Sequence, residues 1–107
     1  MDLSFPVSAQ LLDACVLAIT DQSDTYGYEL TQRIQGAFEV SESTLYPVLR
    51  RLQKDGCLET YDQPFQGRNR RYYRITPAGH AQLAVYRDEW TQFQQMVAQI
   101  LTGGTEE

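Results

Sequence analysis

Near the end of the chain the apolar residues Leu83, Tyr86, Trp90, Phe93, Val97 and Ile100 follow one another at steps of 3, 4, 3, 4 and 3. That rhythm is a heptad seam. It predicts one helix over 77–101 whose stripe faces another helix. Thr76-Pro77 opens it, the threonine as cap and the proline at the first helical position, where a missing amide costs nothing. Upstream, Leu45, Val48, Leu49 and Leu52 fall at i, i+3, i+4 and i+7, a core-facing stripe on a helix within 41–56. Pro47 is tolerated in a first helical turn, which makes Thr44 or Ser43 the N-cap. Gly56 ends the helix as its C′ residue. Tyr26, Leu30, Ile34 and Phe38 recur every four residues and predict a helix over 25–38, capped by Thr25 or Asp24. Leu11, Leu12, Cys15, Leu17 and Ile19 are apolar on more than one side and predict a well-buried helix over 8–20, with Ser8 as its cap.

Two segments change period. CLETYD (57–62) and RRYYRIT (70–76) are rich in residues that fit strands, and they flank the turn-rich QPFQGRN. They predict a hairpin whose loop is too long for a two-residue turn. Alternation in the second strand sets Arg71, Tyr73 and Ile75 on one side and Arg70, Tyr72 and Arg74 on the other. Three helices followed by a hairpin is the order of a winged helix-turn-helix. The expected fold class is mainly α (α+β), a winged helix-turn-helix plus a long C-terminal dimerisation helix. The expected units are a DNA-binding domain over 1–76, the dimerisation helix over 77–101 and a disordered acidic tail over 102–107.

Composition narrows the function. A length of 107 residues suits one domain, and 42% apolar with 21% charged residues is ordinary for a globular protein. No apolar run approaches the roughly 20 residues of a membrane span, and Met1-Asp2 lacks the basic start of a signal peptide, so a cytoplasmic protein is expected. Cys15 and Cys57 lie far apart and read as reduced core residues. His80 is the sole histidine, too few for a histidine-based metal site. No nucleophile–base set, phosphate-binding glycine loop or paired carboxylates stand at a recognisable spacing. Neither an enzyme nor a cofactor is expected.

The net charge of −5 hides an uneven distribution. Residues 50–74 carry +4, from Arg50, Arg51, Lys54, Arg68, Arg70, Arg71 and Arg74 against three acids, and the rest of the chain carries −9. A phosphate backbone meets local charge, not the global value. The helix face opposite the leucines holds Tyr46, Arg50 and Lys54, with Arg51 beside it, and the helix start offers hydroxyls and free amides. Arginines at the tip and edge of a hairpin make sense if the hairpin lies along a polyanion. The seam of the last helix also demands a partner. Its six residues could supply about 9–18 kcal/mol as an upper bound if buried. A second copy of the chain about a two-fold axis would cover them.

Several segments together resemble the PadR family of bacterial transcriptional regulators. They are YGYEL (26–30), STLYPVLRRLQKDG (43–56) and GRNRRYYRITPAGH (67–80). The single last helix with its tryptophan in DEWTQF (88–93) is similar to the short subfamily. The resemblance implies a homodimeric repressor on double-stranded DNA with a pseudo-palindromic operator, nucleoid-associated when bound. Its DNA-binding residues would be Ser43, Thr44, Tyr46, Arg50, Arg51 and Lys54 on the reading helix, with Arg68 and Arg70 on the wing. Dimerisation would fall to Leu83, Tyr86, Trp90, Phe93, Val97 and Ile100. Some short members hold a small planar hydrophobic ligand between subunits, with a tryptophan at the place of Trp90; Gln94 and Leu12 would line the same cleft. Asn69 stands where many relatives have proline, and Cys57 where an aliphatic is usual. Two other readings stand beside this one: a winged-helix adaptor docking an acidic protein, and a ligand-binding dimer without a DNA role.

Overall fold

The computed structural model describes residues 8–103. Residues 104–107 of the tail expected over 102–107, and the first seven residues of the expected DNA-binding domain, lie outside the described residues. Helix α1 (Ala9–Gln22) begins at Ser8, whose Oγ accepts the Leu11 amide at 3.1 Å, as its sequence predicts. It turns Leu12, Val16 and Leu17 inward. Thr20 is buried too, and its hydroxyl lies 3.0 Å from the carbonyls of Val16 and Leu17, so it carries no unmet polarity.

The next element corrects the sequence reading. Thr25 and Tyr26 form a short strand, β1 (Thr25–Tyr26), and helix α2 (Gly27–Gln35) starts only after it. The backbone there is extended because Thr25 and Tyr26 pair with Tyr73 and Tyr72 across an antiparallel ladder. β-branched and aromatic residues suit such a ladder better than a first helical turn. Tyr26 is the N-cap, without a side-chain cap bond, and the Thr25 hydroxyl instead meets Glu29 at 2.6 Å. Leu30 and Ile34 still point into the core, as their spacing requires.

Helix α3 (Glu42–Lys54) starts earlier than expected. Its cap is Ser41, which accepts the Thr44 amide at 3.2 Å, so Ser43 and Thr44 lie inside the first turn. Pro47 therefore sits within the helix and removes the bond its amide would have made to the Ser43 carbonyl. Ser43 is exposed, and water can serve that carbonyl. The far end follows expectation. Gly56 adopts φ 80°, its amide donates to Gln53 at 3.1 Å, and the Cys57 amide donates to Leu52 at 2.9 Å, a Schellman closure.

Strands β2 (Leu58–Phe65) and β3 (Arg68–Ile75) form the hairpin, in the sheet order β1-β3-β2. Both strands run further than their sequence suggests, and the loop is a two-residue turn, Gln66-Gly67. Both turn residues have positive φ, 52° and 79°, the geometry that matches strand twist in a tight hairpin. Glycine reaches it freely. Gln66 pays strain for it, which is why the residue types masked the turn.

Helix α4 (Pro77–Leu101) is capped by Thr76, whose Oγ accepts the Gly79 amide at 3.0 Å and donates to the Gly56 carbonyl at 2.6 Å. Its first turn lies hard against the chain at Cys57. A Cβ on Gly79 would stand 2.3 Å from the Cys57 carbonyl oxygen, so a glycine is required. One core joins Leu12, Val16 and Leu17 to Leu30, Ile34, the α3 leucines, Leu58, Tyr73 and Leu83. Leu83 and Tyr86, the first pair of the expected dimer seam, thus pack on their own domain because α4 starts against α1. Beyond them Trp90, Phe93 and Ile100 are exposed, at 50%, 60% and 86%. The radius of gyration, 15.9 Å, exceeds the roughly 13 Å of a compact chain this long, as a projecting helix requires.

Candidate nucleic-acid interface

The start of α3 gathers hydroxyls. Ser41 Oγ lies 2.8 Å from Ser43 Oγ and 3.1 Å from Thr44 Oγ1. All three residues are exposed, at the end of a helix where backbone amides favour anions. Tyr46 follows, 59% exposed, and Arg50 and Lys54 continue along the solvent side while Leu45, Val48, Leu49 and Leu52 fill the core. Tyr28 on α2 is exposed as well, its hydroxyl accepting from Gln32 at 3.0 Å. Only residues 55–57 separate α3 from β2, so the helix and the wing are held as one unit.

Arg51 departs from its neighbours. Its two terminal nitrogens meet the two oxygens of Asp13 at 2.6 and 2.8 Å. Asp13 is 5% exposed and also accepts from the Tyr86 hydroxyl at 3.3 Å. The hydrogen bond to Asp13 raises the Arg51 pKa above its ordinary value. Burial, and then Asp13, likewise raise the Tyr86 phenol. The Arg51 guanidinium is therefore engaged by α1 and does not project with Arg50 and Lys54.

The wing sorts its arginines by register. Arg71 faces Asp62 and Arg74 faces Glu59, with closest N–O distances of 3.7 and 2.8 Å. The hydrogen bond to Glu59 raises the Arg74 pKa. Arg68 faces Phe65 beside the turn, and Arg70 faces Gln63. Tyr61 donates to Asp24 at 2.7 Å, which raises its pKa, and stacks on Tyr72 at 5.5 Å.

Most of the sequence that builds this arrangement matches a known family. Residues 16–85 fit the family model described as transcriptional regulator PadR-like family. The chain belongs to the PadR family. Its structure is similar to that of smu.1704 from Streptococcus mutans, with a TM-score of 0.89, 39% identity and coverage of 98% of this chain and 99% of that one. A PadR-like transcriptional regulator from Bacillus cereus aligns with a TM-score of 0.78 and 35% identity over 85% of this chain and 91% of the other. The transcriptional regulator Rv3488 of Mycobacterium tuberculosis is 37% identical over 76% of this chain and 74% of its own length.

Within this PadR chain the structure leaves Ser43, Thr44, Tyr46, Arg50 and Lys54 exposed on α3 and brings Arg68 and Arg70 to the outer half of the wing. It does not bring Leu12 to a cleft: Leu12 is 2% exposed in the domain core, held there by its place on the inner face of α1. Trp90 and Gln94 are exposed on α4, and the Trp90 and Phe93 rings lie 6.4 Å apart. Val97 is half-buried. The sequence reading missed Asp13 as the partner of Arg51, and it missed the contact of Tyr26 and Phe65 with Arg70. The second had a signal: alternation along both strands, counted from a two-residue turn, sets Phe65 and Arg70 on one face. Among the described residues no cluster of histidine, cysteine or carboxylate could hold a metal, and no helix is long and apolar enough to cross a membrane.

Proposed function

We propose that this PadR-family regulator is a homodimeric repressor that binds a pseudo-palindromic duplex in a sequence-specific way and responds to a small planar hydrophobic ligand. The observation that carries the reading is the α3 face. Hydroxyls at its start, an exposed Tyr46 and an outward Arg50 are what base edges and flanking phosphates ask of a reading helix. The bare cations Arg68 and Arg70 on the adjoining wing support backbone contact alongside it. The dimer is supported by the exposed Trp90, Phe93, Met96, Ile100 and Leu101, an apolar stripe too long for one protomer to cover. The ligand response is supported by the Trp90–Phe93 pair, which would offer flat faces in a cleft near the two-fold axis.

Selection of bound duplexes from a random pool, followed by affinity measured against salt, tests this. Arg50, Lys54, Arg68 and Arg70 on each protomer should give the dimer a log–log slope of about −7. Arg50→Ala with Arg68→Ala should abolish specific binding. Sedimentation at micromolar concentration should find dimers. A flat salt response with equal affinity for all duplexes would favour the adaptor reading instead.

A further inference from the structure

The register of the hairpin divides the wing in two. At its base each arginine is neutralised across the ladder, Arg71 by Asp62 and Arg74 by Glu59. At its tip the cross-strand partners of Arg68 and Arg70 are Phe65 and Gln63, which carry no charge. Arg70 is nevertheless not loose. Its guanidinium carbon lies 3.4 Å from the Phe65 ring centroid and 3.9 Å from that of Tyr26. Tyr26 is fixed in turn by β1 pairing and by an edge-on contact with Tyr72 at 5.6 Å. Among the described residues Arg70 has no carboxylate within ion-pair distance and donates no side-chain hydrogen bond to the protein.

These facts fit a definite kind of ligand. Rings packed on a guanidinium plane leave its in-plane N–H donors free, and those donors form a fork that matches a phosphate bidentately. Packing against the rings also removes much of the rotamer freedom that a flexible arginine would lose on binding. An arginine meant only to solubilise the wing needs neither ring. One meant for a carboxylate of its own chain would face one, as Arg71 and Arg74 do.

We propose that Tyr26 and Phe65 are positioning residues that hold Arg70 as a preset fork for a backbone phosphate of the duplex. The proposal rests on the DNA-binding reading above. It assigns the two rings a role through Arg70 and not through direct contact with DNA.

The test uses the full-length protein and a duplex taken from the selection. Arg70→Ala should weaken binding at least about tenfold and make the salt slope shallower by about 2 for the dimer. Phe65→Leu, at an exposed wing position that leaves the core intact, should weaken binding about threefold to tenfold. In the Arg70→Ala background the same Phe65→Leu change should have no further effect, because the ring acts through the arginine. Tyr26→Leu should behave like Phe65→Leu, and Tyr26→Phe should restore parental affinity. The proposal is overturned if Phe65→Leu costs the same factor with and without Arg70, or if Arg70→Ala leaves the slope unchanged. A parent that binds no duplex at all sinks the DNA reading itself, which these variant comparisons leave separate.

Discussion

Asp13 and Arg51 are an unequal pair. The aspartate side chain is 7% exposed and the arginine side chain 42%. Removing the arginine strands a buried charge, whereas removing the aspartate leaves a cation that can turn to water. Arg51→Ala should therefore lower unfolding stability by about 1–3 kcal/mol, and Asp13→Ala by less. Urea titration followed by circular dichroism measures both, and equal losses would contradict the asymmetry. The sequence reading counted Arg51 with its cationic neighbours, since helical spacing places it beside Arg50. Spacing along α3 says nothing of α1, and a long-range partner 38 positions away leaves no periodic trace. Asp13 was hidden for the same reason: an acid among leucines is unremarkable until its counter-ion is seen.

The elements whose apolar period is long were legible: all four helices, the buried leucine and valine stripe of α3, the Ser8 and Thr76 caps and the Gly56 stop. Boundaries failed where a local rule met a stronger competitor. Thr25 and Tyr26 satisfy a helix stripe but gain more from the ladder with Tyr73 and Tyr72. Pro47 pointed to a late helix start, yet the hydroxyl of Ser41 caps α3 six residues before it. The hairpin loop was misjudged because Gln66 is a poor residue for φ 52°. That misfit can be relieved. Gln66→Asn would supply the Asn-Gly pair that this turn favours, and should stabilise the protein by roughly 0.5–1 kcal/mol. A thermal midpoint that falls instead would show that the glutamine side chain contributes something the backbone geometry does not reveal.

At the scale of the molecule, ionisation and burial act together. Burial raises the pKa of Tyr73, Tyr86 and Cys57, and the bond to Asp24 raises that of Tyr61. Each group is neutral when protonated, and the folded chain holds its proton more tightly than the unfolded one. The unfolded state loses protons first as pH rises, so stability is intact below the ordinary thiol and phenol values and declines above them. The urea midpoint should hold at neutral pH and fall progressively beyond about pH 10, where free tyrosine ionises. An unchanged midpoint at pH 10.5 would show that these phenols ionise as easily in the folded protein. The apolar seam of α4 could be read as a pattern, but not divided into the part its own domain buries and the part left in water. Its rhythm is the same where Leu83 sits in the core and where Ile100 stands in water.

From His80 to Leu101 helix α4 contains neither glycine nor proline. It is bedded at one end by Leu83 and bare at the other, and at about 1.5 Å per residue it is roughly 37 Å long. It is a stiff crowbar that carries the winged-helix body at its bedded end and would pivot at its free end. A tilt of roughly 5° forced on the free end moves points at the opposite end by about 3 Å, close to the 3.4 Å rise between neighbouring bases on a strand. In the proposed dimer, a wedge no larger than one flat ring could therefore shift the paired reading surfaces out of step by a whole rung.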